Sequence, residues 1–255
     1  MAFDDKKFNR IFSVTLMLLM AAVIIFITAR NYSTAGDLKD RLLLLAAAGA
    51  SLCGVASTIL SANARIANFF FGIINVLVYG TVCVLKSNYG SAAINLLYFL
   101  PMQFVGLAAW RRRGGTSKEQ VHARRLTKNG RLLFSGLFLV GLIAVYVILC
   151  AAHTENGATF AERLISSDGG LKTLRWIILV DALATVCNII GQYLLSTAYM
   201  EQWFFWMAVN VFSIALWMTS DKSFAPVYIV KYAFYLLNSF NGLRIWLRLS
   251  RSREK

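Results

Sequence analysis

Proline is almost absent from this chain, with two in 255 residues, so little in the sequence interrupts a helix. Charged residues are also scarce, at 15% of the chain, whereas a soluble domain carries about a quarter. These shortages exclude an ordinary soluble domain. Hydrophobic residues make up 58%, and the mean hydropathy is +0.61. Because backbone groups in lipid must be hydrogen-bonded internally, the long apolar runs predict an all-α integral membrane protein.

Residues suited to catalysis or metal binding are few and scattered. The two histidines, His122 and His153, have no ligand partner one helical turn further on. No cysteine pair has the CxxC spacing, and no Walker A loop or nucleophile–base pair occurs. We therefore predict no enzyme, no cofactor and no metal site. All four cysteines lie inside apolar runs, which indicates free buried thiols: Cys53, Cys83, Cys150 and Cys187.

Eight apolar segments are each long enough to cross a hydrocarbon core of about 30 Å. The first, within residues 1–30, follows a basic start but is too long for the apolar region of a signal peptide, so we expect a retained helix. The eight predicted transmembrane helices are Ile11–Ala29, Leu42–Leu60, Asn68–Leu85, Ala92–Trp110, Leu132–Ala152, Trp176–Thr197, Gln202–Thr219 and Pro226–Leu247.

Positive charge is concentrated between and beyond the apolar segments. The loop at 111–131 holds eight Lys and Arg residues against one acid, Glu119, and the tail after Arg244 is also basic. The positive-inside rule places both in the cytoplasm, and eight spans place the N-terminus there too. This arrangement accounts for the net charge of +14 without a nucleic-acid partner. An alternative role for the loop is recruitment of anionic lipid or of an acidic partner.

An internal repeat covers most of the chain. A shift of 135 residues places Asn75 on Asn210, and a shift of 136 places YFLPMQFVGLAAW at 98–110 on FYLLNSFNGLRIW at 234–246. Spans two to four thus recur as spans six to eight.

This repeat predicts one N-terminal span followed by a 3+1+3 arrangement. The first three-helix repeat covers 42–110, the linking helix covers 132–152, and the second repeat covers 176–247. Three spans and one linking span bring the second repeat back in the same orientation. Parallel repeats of this kind build transporters such as SWEETs.

The stretch EQWFFWMAVNVFSIALW at 201–217 carries two tryptophans and an amide on one helix face. Trp203, Trp206 and Asn210 are spaced i, i+3 and i+7. Three interpretations fit: tryptophans at a membrane interface, amide-mediated helix packing, or a slot for a flat aromatic solute. The repeat favours the solute slot, because a purely structural bundle needs no such duplication.

Span six carries a polar stripe where the first repeat has small or apolar residues. Asp181, Asn188 and Gln192 share one face of an otherwise apolar helix. A carboxylate inside a span costs about 2.5–3.5 kcal/mol on insertion scales, so Asp181 needs a partner or water. The alternative is that Asp181 lies at the outer boundary and is hydrated.

Polar groups on spans three, four and eight complete the candidate solute site. Each amide alone is compatible with helix packing, but together they exceed what packing needs. The predicted solute has a flat ring, an amide or hydroxyl part, and modest or positive charge, since indole faces attract cations. Passive transport is the simplest physics that fits. The predicted substrate-binding residues are Trp203, Trp206, Asn210, Asn75, Gln103, Asn188, Gln192, Tyr235, Asn238 and Asp181.

Two segments resemble the PnuC family of vitamin transporters: ARIANFFFGIINV at 64–76 and MEQWFFWMAVNV at 200–211. The basic loop, Asp181 in the sixth span and the closing NGLRIW at 241–246 are also similar to the family. The resemblance covers about residues 42–247.

The resemblance implies uptake of nicotinamide riboside across a bacterial inner membrane by facilitated diffusion, with trapping by a cytoplasmic kinase. It implies that Trp203, Trp206 and Asn210 contact the solute, and it allows a homotrimer in contact with membrane lipid. Relatives in the family carry thiamine or riboflavin, and these remain alternatives. A non-transporting membrane scaffold is the competing class.

Overall fold

The computed structural model describes residues 5–34, 36–116, 119–152, 169–219 and 225–251, and within these ranges regular structure is helical. One isolated bridge, between Arg124 and Tyr199, is the exception. The helices are α1 (Asp5–Tyr32), α2 (Leu38–Ala62), α3 (Asn68–Leu85), α4 (Tyr89–Arg112), α5 (Lys128–Ala152), α6 (Gly169–Ser196), α7 (Gln202–Met218) and α8 (Ala225–Arg251).

The all-helical, membrane-type architecture is confirmed. Over the described part of the chain, six helices, α1 to α6, are long and apolar enough to cross a membrane. Helix α7 is apolar but has 17 residues. Helix α8 has 27 residues and is more polar, because it carries Lys231, Asn238, Asn241 and Arg244. The count of eight spans and the parallel repeat therefore stay predictions.

Helix α4 changes to π-helical geometry over Ile94–Phe99, just before Pro101. Proline has no N–H to donate to the preceding turn, and a widened turn accommodates that loss. The extra residue in this turn rotates the helix face that follows. It therefore sets the direction of Gln103, two residues beyond the proline.

The chain divides into two compact units. Unit 1 comprises Met1–Arg124, Gln192–Met200 and Leu237–Lys255, and unit 2 comprises Arg125–Gly191 and Glu201–Leu236. The units differ from the predicted repeats, because the last residues of α6 and the second half of α8 pack with α2 and α4.

Two buried tryptophans explain that packing in unit 1. The Trp110 ring lies 4.9 Å from Phe69, edge-to-face, and 5.4 Å from Trp246. Trp110 Nε1 donates to the Leu195 carbonyl at 2.8 Å, and Trp246 Nε1 donates to the Ser61 carbonyl at 3.0 Å. Each indole thus gives a second donor to a carbonyl near the end of a helix, which also accepts from a backbone N–H of the turn that follows.

The residues after α2 and after α6 form the same turn. Ala64 has φ +55° and Ala198 has φ +61°. The first turn (60–65) is closed by Ala64 N–H to the Ser61 carbonyl at 2.9 Å, and the second turn (194–199) by Ala198 N–H to the Leu195 carbonyl at 3.0 Å. These turns correspond at an offset of 134 residues, one fewer than the shift that aligns Asn75 with Asn210.

Burial along α3 and α7 follows the same offset of 134. Asn68 and Gln202 begin the two helices and are fully buried. Phe70 and Phe204, at the next exposed positions, correspond in the same way. Alignment of α3 and α7 by matching residue types gives an offset of 135. The turns and the burial pattern give 134, one residue fewer.

Both turns, the start of α1 and the end of α8 lie at one end of unit 1. The Arg244 guanidinium donates to Asn9 and lies 4.7 Å from the Phe8 ring centroid. Asn63 Nδ2, beside the first turn, donates to Ser13 Oγ at 2.9 Å. This common end is the one at which the basic loop between α4 and α5 begins.

Candidate functional site

The predicted substrate-binding residues are divided between the two compact units. Those in unit 2 are Trp203, Trp206, Asn210, Asp181, Asn188 and Tyr235, and those in unit 1 are Asn75, Gln103, Gln192 and Asn238.

In unit 2, the tryptophan stripe of α7 has one buried and one half-buried ring. Trp203 is 1% exposed, so its indole lies inside the protein rather than facing lipid. Trp206 is half-buried. Asn210 is 6% exposed, and its Nδ2 donates to the Trp206 carbonyl at 2.8 Å. The interpretation of Trp203 as a membrane-interface residue is therefore disfavoured.

Gly191 makes room for the indole of Trp206. A Cβ atom on Gly191 would lie 3.3 Å from Trp206 Cε2, 3.5 Å from Cδ2 and 3.4 Å from Phe205 Cβ. The backbone of α6 thus approaches the ring closely because no side chain intervenes. One side of the Trp206 indole lies against α6, and the residue as a whole is half-buried.

The other predicted residues of unit 2 are half-buried: Asn188, Asp181 and Tyr235. Asn188 Nδ2 donates to the Ala184 carbonyl of its own helix at 3.0 Å. The Tyr235 ring lies 6.3 Å from the Tyr232 ring.

The same helix, α8, already holds a positive charge among aromatic rings. Lys231 Nζ lies 5.1 Å from the ring centroid of Tyr228 and 5.0 Å from that of Tyr232. Tyr228 in turn stacks on Trp217 at 4.0 Å, with 10° between the planes. Unit 2 therefore contains aromatic faces that accept a cation.

In unit 1, the predicted amides lie against glycines. A Cβ atom on Gly54 would lie 3.1 Å from Asn75 Oδ1, and one on Gly72 would lie 2.4 Å from Gln103 Oε1. Gln103 is 5% exposed, and its Oε1 accepts no hydrogen bond from the described residues.

Two further predicted amides of unit 1 are connected to neighbouring helices, Asn238 directly and Gln192 through Ser196 of its own helix. Asn238 is 1% exposed, and its Nδ2 donates to the Thr58 carbonyl at 3.1 Å. Its Oδ1 has no donor within the described ranges. Gln192 Nε2 donates to Ser196 Oγ at 3.2 Å, and Ser196 Oγ donates to the Met102 carbonyl at 2.9 Å. Buried carbonyl oxygens such as those of Gln103 and Asn238 suit a ligand with N–H or O–H donors.

Sequence reasoning missed the buried amides that begin α3 and α7. Asn68 Nδ2 donates to the Arg65 carbonyl at 2.8 Å, while its Oδ1 accepts no hydrogen bond among the described residues. Gln202 is fully buried, and within the same ranges neither its Nε2 nor its Oε1 makes a hydrogen bond. The signal that identifies them is the turn offset of 134, which pairs Asn68 with Gln202.

Comparison with known proteins extends these observations. Residues 44–248 match the family model described as nicotinamide mononucleotide transporter. The nicotinamide riboside transporter PnuC of Neisseria mucosa is 29% identical over 208 residues, which cover 78% of this chain and 71% of the relative. That of Haemophilus influenzae is 29% identical over 200 residues, covering 78% and 77%, and that of Escherichia coli is 23% identical over 213 residues, covering 80% and 85%.

A solved structure has the same fold. The crystal structure of the vitamin B3 transporter PnuC aligns with 96% of this chain and 92% of its own, with a TM-score of 0.64 and 27% sequence identity. The matched region includes α7 and its tryptophan stripe, and the matched proteins are transporters rather than enzymes. The chain belongs to the PnuC family of membrane transporters.

Proposed function

We propose that this transporter takes up nicotinamide riboside across a bacterial inner membrane by facilitated diffusion. The observation that carries the proposal is the α7 stripe, where Trp206 is half-buried and lies against Gly191. The names of the Neisseria, Haemophilus and Escherichia relatives, all nicotinamide riboside transporters, support the same solute.

The chemistry of nicotinamide riboside suits the side chains of unit 2. Its pyridinium ring is flat and positively charged, and an indole face attracts a cation by about 0.5–2 kcal/mol. Trp206 is the proposed stacking partner, and Asn210 is proposed to orient the ring.

Unit 1, taken by itself, holds buried amides that are candidates for hydrogen bonds to the polar part of a solute. Nicotinamide riboside carries a carboxamide and ribose hydroxyls, all of which donate hydrogen bonds. Gln103 Oε1 and Asn238 Oδ1 are buried acceptors with no donor among the described residues. A ligand that supplies those donors would remove the cost of leaving buried acceptors unsatisfied, about 1–3 kcal/mol each.

Facilitated diffusion is proposed because the sequence carries no Walker A motif for ATP hydrolysis. Uptake beyond equilibrium would then require trapping, for which phosphorylation by a cytoplasmic kinase is the simplest route. We place both termini in the cytoplasm, since the start of α1 and the end of α8 lie at the end of unit 1 where the basic loop begins.

Binding and flux together test the function. We expect purified protein to bind nicotinamide riboside saturably, and tryptophan fluorescence measures that binding. We also expect protein in liposomes to transport nicotinamide riboside without an imposed ion gradient. Nicotinamide mononucleotide and thiamine are the matched competitors: the first adds a phosphate, and the second is another cationic aromatic. Tight thiamine binding without nicotinamide riboside binding would reassign the solute. Binding without saturable flux of any of the three would indicate a scaffold.

A further inference from the structure

Part of the basic loop between α4 and α5 is packed inside the protein. In the segment 120–126, here called the strap, Val121 is fully buried and Ala123 and Leu126 are buried. A loop that served only as a positive-inside signal would need charge and no burial. The strap therefore has a structural task in addition to its charge.

The strap binds both turns of unit 1. At the first turn, Val121 N–H donates to the Ala64 carbonyl at 3.1 Å, and Gln120 Nε2 donates to the Asn63 carbonyl at 2.9 Å. These bonds hold the backbone immediately before α3.

At the second turn, the strap is bonded through both backbone groups of Arg124. Its N–H donates to the Ala198 carbonyl at 2.7 Å, and its carbonyl accepts from Met200 N–H at 2.9 Å. The Arg124 guanidinium also lies 4.4 Å from the Tyr199 ring centroid. Ala64 and Ala198 are the two residues with positive φ at equivalent positions, so the strap bonds corresponding carbonyls of both turns.

In unit 2, the end of the strap is held by a buried carboxylate. Leu126 N–H donates to Glu201 Oε1 at 3.0 Å, and Glu201 is 8% exposed. Glu201 immediately precedes α7 but makes no side-chain cap hydrogen bond to it. Its carboxylate therefore binds the strap rather than capping the helix.

We propose that Glu201 is a positioning residue, which fixes the start of α7 through the strap and thereby holds Trp203 and Trp206 in place for the solute. Trp203 follows Glu201 by two residues and Trp206 by five. A helix is stiff over this length, so displacement of its first turn moves both indoles. The inference rests on the proposed function, because it assigns Glu201 a role in solute affinity.

A pair of substitutions separates the hydrogen bond from the charge. Glu201→Gln keeps an acceptor oxygen for Leu126 N–H and removes the charge, whereas Glu201→Ala removes both. Glu119→Ala is the matched control, since Glu119 is the exposed acid of the same loop. We expect Glu201→Ala to weaken nicotinamide riboside affinity about tenfold, as for a buried donor left without its acceptor. Glu201→Gln and Glu119→Ala should stay within about twofold of the unmodified protein.

Hydrogen exchange tests the anchoring without any solute. Peptides covering 120–126 and the start of α7 should exchange faster in Glu201→Ala and at the normal rate in Glu201→Gln. Normal exchange in Glu201→Ala would overturn the inference, as would unchanged affinity. An equal loss of solute affinity in Glu201→Gln and Glu201→Ala would assign the effect to the charge of Glu201, and this result would also overturn the inference. If the unmodified protein binds no nicotinamide riboside, the proposed function fails, and the exchange result still decides whether Glu201 anchors the strap.

Discussion

The α2–α3 and α6–α7 regions have the same type of turn but differ in which helix carries a glycine. The glycine lies on the second helix of the first pair, α3, and on the first helix of the second pair, α6. At the offset of 134, Ser57 on α2 corresponds to Gly191 on α6, and Gly72 on α3 corresponds to Trp206 on α7. In unit 1, a Cβ atom on Gly72 would lie 3.2 Å from Ser57 Oγ and 2.4 Å from Gln103 Oε1. In unit 2, one on Gly191 would lie 3.3 Å from the Trp206 indole.

The position of the glycine determines which side chain fills the space between the two helices, while the turn stays the same. Where the glycine lies on α3, an amide occupies the space. Where it lies on α6, an indole does. The backbone turn needs only the left-handed residue, Ala64 or Ala198, and the helix-end bonds that follow from it. Side-chain volume across the helix pair is therefore free to differ between a polar region and an aromatic one.

Among substitutions in these two regions, we expect the largest loss of solute affinity at Trp206. Trp206→Ala should weaken solute binding by about 1–3 kcal/mol, because it removes a half-buried aromatic anchor. Titration by calorimetry measures the change. Phe204→Ala is the control, since Phe204 lies on the same helix and is exposed. Equal affinity in Trp206→Ala and the unmodified protein would show that the stripe serves packing alone.

A smaller effect is expected at Gly191. Gly191→Ala should weaken solute affinity about threefold, because the added methyl displaces the indole by a few tenths of an ångström. Alanine favours a helix over glycine, so the thermal stability should not fall. Gly136→Ala on α5 is the matched control, since a Cβ atom added there would have no neighbouring atom of another described residue within 4 Å. A loss of stability with unchanged affinity would contradict the assignment of Gly191 to ring placement.

The smallest expected effect is a change in stability at the two turns, and it tests whether the turns are equivalent. Ala64→Gly and Ala198→Gly should each stabilise the protein by about 0.5 kcal/mol, because both alanines have positive φ and glycine removes that strain. Thermal unfolding in detergent measures both changes. Stabilisation at one turn and destabilisation at the other would contradict their equivalence.

The helices were predictable from the apolar runs because lipid requires long uninterrupted segments. An apolar helix was predicted at 132–152 and a helix is observed at Lys128–Ala152, and α7 begins at Gln202 as predicted. The π-helical turn before Pro101 was missed, since one extra residue in a helix leaves little trace in hydropathy. The offset of 134 was missed because turns contribute few matching residue types.

The tryptophan stripe was predictable because its spacing is helical and its composition unusual. The buried positions of Asn68, Gln202 and Glu201 were not, because burial of a residue beside a turn depends on what packs over it. The partners of Gly72 and Gly191 likewise come from other helices. A single sequence does not contain those contacts.

We propose that the α7 tryptophans bind a planar, positively charged vitamin, and a structure of the protein with nicotinamide riboside would show whether they do. We expect density for the pyridinium ring stacked at about 4 Å from the Trp206 indole, on the side away from Gly191. A bound solute whose ring touches neither Trp203 nor Trp206 would contradict the claim.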